Sequence, residues 1–155
     1  MNPAMKKKLA RYQRLLFQIE ELLAEGGDLI SRMATINAVI YHKMDGFFWV
    51  GFYLLQGDRL LVGPYQGPLA CLELPRHKGV CWEGIRLGRP VIVPDVQKFQ
   101  GHIACDPRSK SEIVIPVRDR NKKITGVFDI DSDLISNFDE VDAEQLAKIV
   151  GLLSA

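Results

Sequence analysis

Apolar residues first recur at helical spacing. Met5, Leu9, Tyr12, Leu15, Leu16, Ile19, Leu22 and Leu23 form one stripe that stops at Gly26-Gly27. Asp28 can cap a second helix whose inner face reads as Ile30, Met33, Ile36, Ala38, Val39 and Ile40. The period then changes. Phe47 to Leu55 is an aromatic run typical of a strand, and Gln56-Gly57-Asp58 turns it into a hairpin partner, Arg59 to Gly63. Strict alternation puts Phe47, Trp49, Gly51 and Tyr53 on one face, and Phe48, Val50, Phe52 and Leu54 on the other. One face must meet the helices; the other can line a pocket, although core packing alone accounts for these aromatics.

Gly63 to Pro68 reads as a turn-rich connection, followed by a short strand Cys71 to Leu74 stopped by Pro75. Gly79 to Leu87 is a short helix, and Val91-Ile92-Val93 a short strand ended by Pro94. A long loop, Asp95 to Ser111, carries apolar Phe99 and Ile103 and is therefore expected to be ordered. Glu112–Arg118 and Ile124–Ile130 close the sheet around the polar turn Asp119 to Lys122. Asp139 or Asn137 caps a last helix with Val141, Ala143, Leu146, Ile149, Val150 and Leu153 inward. The pattern predicts an α+β domain of about six mainly antiparallel strands, with N- and C-terminal helices packed on one face.

Composition narrows this little. The 155 residues, 47% apolar and 25% charged, suit a single domain with a core of its own. A net charge of +1 gives no reason to expect nucleic acid or an acidic membrane as partner. Lys6-Lys7-Lys8 reads as a solvated helix end. The basic start resembles a leader peptide, but Arg11, Gln13 and Arg14 break the apolar segment that would follow. No run approaches the ~18 apolar residues of a membrane span. The expected location is cytoplasmic, with thiols reduced, and three cysteines are not a static disulfide framework. There is no internal repeat and no Gly-rich phosphate loop.

The chemistry concentrates in Gly101-His102-Ile103-Ala104-Cys105-Asp106 through Ser109 and Ser111 to Glu112, a thiol, an imidazole and two carboxylates on a loop ahead of a buried strand. The other cysteines are Cys71 and Cys81. Cys81 lies near a helix start, where free N–H groups and the helix dipole would lower its pKa. Three readings stand open for the thiols. A structural zinc site would have to gather Cys71, Cys81, Cys105 and His102 without any close CxxC pair. Inert buried thiols are the second reading. Redox catalysis is the third, and needs a thiolate with a second thiol in reach. Asp129 and Asp131 alternate to one strand face, and Glu112 begins the adjoining strand. Strand-end carboxylates are commonly solvated, but three around one pocket would suit binding an ammonium group and delivering a proton.

With Trp49-Val50-Gly51-Phe52-Tyr53, Gly63-Pro64-Tyr65-Gln66-Gly67, Ala70-Cys71, Gly79-Val80-Cys81, Asp95-Val96, Gly101 to Asp106, Ser111 to Val114, Gly126-Val127 and Asp129 to Ser132, the chain resembles a GAF domain, and more narrowly the free methionine-(R)-sulfoxide reductases. The likeness covers about residues 37 to 152. It implies one GAF domain over 1–155, with N-terminal helices over about 3–44, sheet and pocket over about 47–132 and a C-terminal helix over about 139–153. It further implies reduction of free L-methionine-(R)-sulfoxide to L-methionine without metal or other cofactor. Cys105 matches the nucleophile that becomes a sulfenic acid. Cys71 matches the resolving thiol, the disulfide then being reduced by thioredoxin. Cys81 matches the third family cysteine, a disulfide relay or an alternative nucleophile. Trp49 and Tyr53 match the aromatics that hold the methyl-sulfur end. Glu112, Asp129 and Asp131 match the ammonium-binding carboxylates, Asp131 being the expected proton donor. Two departures stand near Cys81: Trp82-Glu83 where the family has Gly and a small residue, and His77 where it has Gly. Trp82 is expected to narrow or shield the pocket. A homodimer through the first helix is also expected. The alternatives are a non-catalytic GAF sensor of a small ligand and a structural or zinc-binding thiol protein.

Overall fold

Asn2 and Pro3 start helix α1 (Pro3–Ala24), Asn2 accepting from the Met5 amide at 2.9 Å. The computed structural model describes residues 1–154. Tyr12, Leu15, Ile19 and Leu23 bury the stripe of α1, while Leu22 turns to the surface. Asp28 caps α2 (Leu29–Lys43) through the Ser31 amide at 2.9 Å. Its inner face begins at Met33 and includes Ile36, Ile40 and the polar Asn37, which donates to the Pro64 carbonyl at 2.7 Å. The expected Ile30 is instead exposed with Leu29, because the first turn of α2 overhangs the core.

Six strands follow: β1 (Phe47–Gln56), β2 (Arg59–Gln66), β3 (Glu73–Leu74), β4 (Val91–Val93), β5 (Ser111–Arg118) and β6 (Ile124–Ser132). Their order is β3-β2-β1-β6-β5-β4, and every neighbouring pair is antiparallel. Helix α3 (Gly79–Leu87) lies between β3 and β4 in sequence, and α4 (Glu140–Gly151) ends the fold. Asp139 caps α4 in a reciprocal box with Asp142.

The sheet separates two apolar layers. On one side α1, α2 and α4 cover Val50, Phe52, Ile113, Ile115, Phe128 and Ile130. On the other, a second apolar cluster joins Val80, Cys81 and Trp82 of α3 with Trp49, Tyr53, Val114 and Val127. A β-carbon on Gly84 would meet Val114 Cγ1 at 2.7 Å, so the missing side chain sets how closely α3 approaches β5.

Three local expectations need correcting. Residues 63–66 continue β2 and are not a turn, because their backbone pairs with Val50 and Gly51. Cys71 and Leu72 precede β3, which begins at Glu73. Strict alternation also fails at the start of β1. A register shift between Phe47 and Trp49 sends Phe47 into the helix-side core and leaves Phe48 with Trp49 on the α3 side.

Candidate active site

Strand register assembles the acidic face. Trp49, Asp131, Glu112 and Val93 lie abreast across β1, β6, β5 and β4. The next row on the same face is Gly51, Asp129, Val114 and Val91. Glu112 and Asp129 are therefore diagonal neighbours, a spacing long side chains can bridge. The thiol of Cys81, in the first turn of α3, descends onto the same spot. One ligand atom each from Cys81, Glu112 and Asp129 lie within 4.8 Å of one another.

These groups form the inner end of a cleft of about 570 Å³, its open mouth included. Phe48, Trp49 and Tyr53 supply an aromatic wall, and Ile103, Cys105, Asp106 and Ser109 the opposite rim. Trp49 stacks on Tyr53 with ring centres 5.8 Å apart. That stacking needs Gly51 between them, since a β-carbon there would strike the indole. Both aromatics also use their polar ends. Trp49 Nε1 donates to the Pro68 carbonyl at 3.1 Å, and the Tyr53 hydroxyl donates to the Cys71 carbonyl at 3.2 Å. The wall thus positions the loop that carries Cys71.

Cys71 is disulfide-bonded to Cys105, with their Cα atoms 5.6 Å apart. The bond joins the loop before β3 to the loop before β5 at the cleft rim. Cys105 lines the cleft and is exposed; Cys71 is half-buried behind it. Arg108 steadies this loop through two hydrogen bonds to Asp106, at 2.7 and 3.0 Å, and lies over the Phe48 ring. Cys81 is the free cysteine.

The electrostatics follow from burial. Glu112 and Asp129 are 6% and 5% exposed, at the inner end of a cleft that Lys78 and His102 also line. Burial, then the charges of Asp129 and Asp131, pushes the Glu112 carboxyl well above its ordinary range. Asp131 rises well above its own for the same reasons, tempered by Ser109, which donates to it at 2.8 Å. Asp129 rises through burial and is held back by hydrogen bonds from Glu112 and Cys81. Glu112 therefore keeps a proton and shares it with the Asp129 carboxylate. His102, partly buried in the cleft, is pushed towards its neutral form.

A GAF domain family model matches residues 20–155. The chain is 44% identical over 147 residues to GAF domain-containing protein A of Dictyostelium discoideum, covering 94% of this chain and 92% of that one. It is 37% identical over 142 residues to the free methionine-R-sulfoxide reductase of Escherichia coli K12, covering 92% and 86%. The crystal structure of the free methionine-R-sulfoxide reductase of Neisseria meningitidis with its substrate superposes with a TM-score of 0.90, at 40% identity over 95% of this chain and 88% of that one. The chain belongs to the GAF-domain family of free methionine-R-sulfoxide reductases.

Within this reductase family, the fold brings together the residues that the sequence singled out: Trp49, Tyr53, Cys81, Cys105, Glu112, Asp129 and Asp131 all line one cleft. Two expectations are overturned. Burial, followed by the charges of Asp129, Glu112 and Asp131, pushes the Cys81 thiol well up, so these effects exceed the pull of the short helix. Trp82 does not narrow the cleft. It faces away beneath His77, ring centres 4.9 Å apart, where His77 takes a left-handed backbone. A zinc site using Cys71 and Cys105 is incompatible with their mutual bond. Sequence reasoning missed Phe48, hidden by the register shift. It also missed Lys78, whose place in the cleft depends on loop geometry, and gave Ser109 no partner, whereas the fold sets it against Asp131.

Proposed function

We propose that this protein reduces free L-methionine-(R)-sulfoxide to L-methionine in this cleft. One observation carries the reading: a cysteine pair bonded at the rim of a cleft with an aromatic wall and a proton-holding carboxylate floor. The ammonium group meets Glu112, Asp129 and Asp131, and the methyl-sulfur end packs on Trp49 and Tyr53. The first turn of α3, with Lys78 and no side-chain cap, lines the same cleft and suits the substrate carboxylate.

The reduced Cys105 thiolate attacks the sulfoxide sulfur. Asp131 delivers a proton to the oxygen, which transfers to Cys105 as a sulfenic acid while methionine leaves. Cys71 then attacks the sulfenic sulfur, water departs and the disulfide forms. Two electrons and two protons from a dithiol reductant such as thioredoxin restore both thiols. Exposure of Cys105 and the position of Cys71 behind it support these roles, and the buried Cys81 is assigned neither. The methyl and oxygen substituents meet different walls, which favours one epimer. We further propose a cytoplasmic protein, in keeping with this need for reductant; no described helix is long and apolar enough to cross a membrane.

The test is consumption of the (R) and (S) epimers of free L-methionine sulfoxide with a thioredoxin system. The expected outcome is loss of the (R) form alone, with Cys105→Ser removing turnover while retaining ligand binding. A sensor module would lose little of either function in that variant. No turnover of either epimer by fully reduced protein overturns the enzyme reading.

A further inference from the structure

The mechanism gives Cys81 no role, although its thiol faces the cleft beside two carboxylates. Cys81, Glu112 and Asp129 are each less than a tenth exposed, at 4%, 6% and 5%. The hydrogen bonds that Asp129 receives leave its Oδ1 buried without a partner. Asp129 lines the cleft, and its orphaned oxygen calls for a cation or donor from outside.

An ammonium group could satisfy the carboxylates but would gain nothing from a neutral thiol. A sulfur ligand with two oxygens suits a borderline-soft divalent ion. Ligand atoms about 2.0–2.3 Å from one zinc ion sit roughly 3.3–3.8 Å from each other. The trio already lies within 4.8 Å. A contraction of at most about 1.5 Å, within the reach of side-chain rotation, would close three sides of a tetrahedron and leave the fourth to water from the cleft. We propose that Cys81, Glu112 and Asp129 form a binding site for a thiophilic divalent cation, Zn²⁺ or Cd²⁺, at the floor of the cleft. The Cys81 proton and the proton on Glu112 leave as the ion enters. The ion and an ammonium group compete for the same carboxylates, so the occupied cleft is closed to an amino acid.

The disulfide state makes the test clean and independent of the reductase reading. With Cys71 and Cys105 bonded, Cys81 is the sole free thiol, so thiolate-to-cadmium ultraviolet absorption can arise only there. The oxidised protein, titrated with Cd²⁺ alone, is expected to develop this band at one ion per chain and to lose it to excess Zn²⁺. Cys81→Ser should remove the band, while Glu112→Gln and Asp129→Asn, checked for native circular dichroism, should weaken uptake at least tenfold. No band in oxidised wild type with a free Cys81 confirmed by thiol counting overturns the site. So does a band whose affinity is unchanged in both carboxylate variants, which would reduce it to a simple thiol–metal contact. Neither outcome depends on turnover.

Discussion

Cys81 and Cys105 are the same residue type, only 24 positions apart in the chain, and their surroundings make them opposite reagents. Cys105 stands at an exposed rim, whereas Cys81 is enclosed by negative charge. An anionic aromatic disulfide reagent should therefore fail to modify Cys81 in the native oxidised protein and should titrate one thiol only after denaturation. Rapid native reaction would contradict the burial described here. Glu112 gives a second expectation at this scale. The fold keeps its proton above the pH, about 4.3, at which an unfolded glutamate releases it. The native state then binds more protons, so stability falls as pH rises from that value towards the raised one. Glu112→Gln should flatten this slope and raise stability by about 0.5–2 kcal/mol at neutral pH, while weakening binding of methionine sulfoxide. Urea unfolding across pH and ligand titration measure the two effects. The carboxylates were legible in sequence because alternation fixes their face. The sign of the Cys81 shift was not: a helix start is local, whereas the opposing charges come from two other strands.

Elements are joined by a polar clamp as well as by apolar packing. Lys8, at the inner end of the basic cluster, pairs with Asp139 and Asp142 at 2.8 and 2.7 Å, and the Tyr12 hydroxyl donates to Asp142 at 2.6 Å. The first turns of α1 are thereby fastened to the capping box of α4, with Tyr12 and Asp142 buried. Tyr12→Phe should lower stability by about 1–3 kcal/mol, seen as a lower urea midpoint, without changing substrate affinity. An unchanged midpoint would show that Lys8 alone holds the clamp. The start of α2 was readable from Asp28, and that of α4 was narrowed to Asp139 or Asn137, because such short side chains cap locally; Asn2, which caps α1, was not singled out. The start of β1 was not, since its register shift depends on β6, more than seventy residues downstream.

At the scale of the whole molecule, the expected stripe of α1 is largely covered by the protein's own core, leaving Leu22 outside at 37% exposure, and Phe17, which lies off that stripe, is 65% exposed. We propose that these carry a homodimer. Sedimentation should give a dimer for wild type and a monomer for Phe17→Glu; a wild-type monomer would remove the idea. The sheet itself has a wider consequence. Along β5 and β6, Ile113, Ile115, Phe128 and Ile130 face α1, α2 and α4, and on the opposite face Val114 packs towards α3 while Glu112, Asp129 and Asp131 line the cleft. One strand thus carries two interleaved texts, one written in the alphabet of stability and the other in that of recognition. Mutations at alternate letters can revise the ligand while leaving the scaffold's own message intact, which makes this partition a natural starting point for drift or design towards new small molecules.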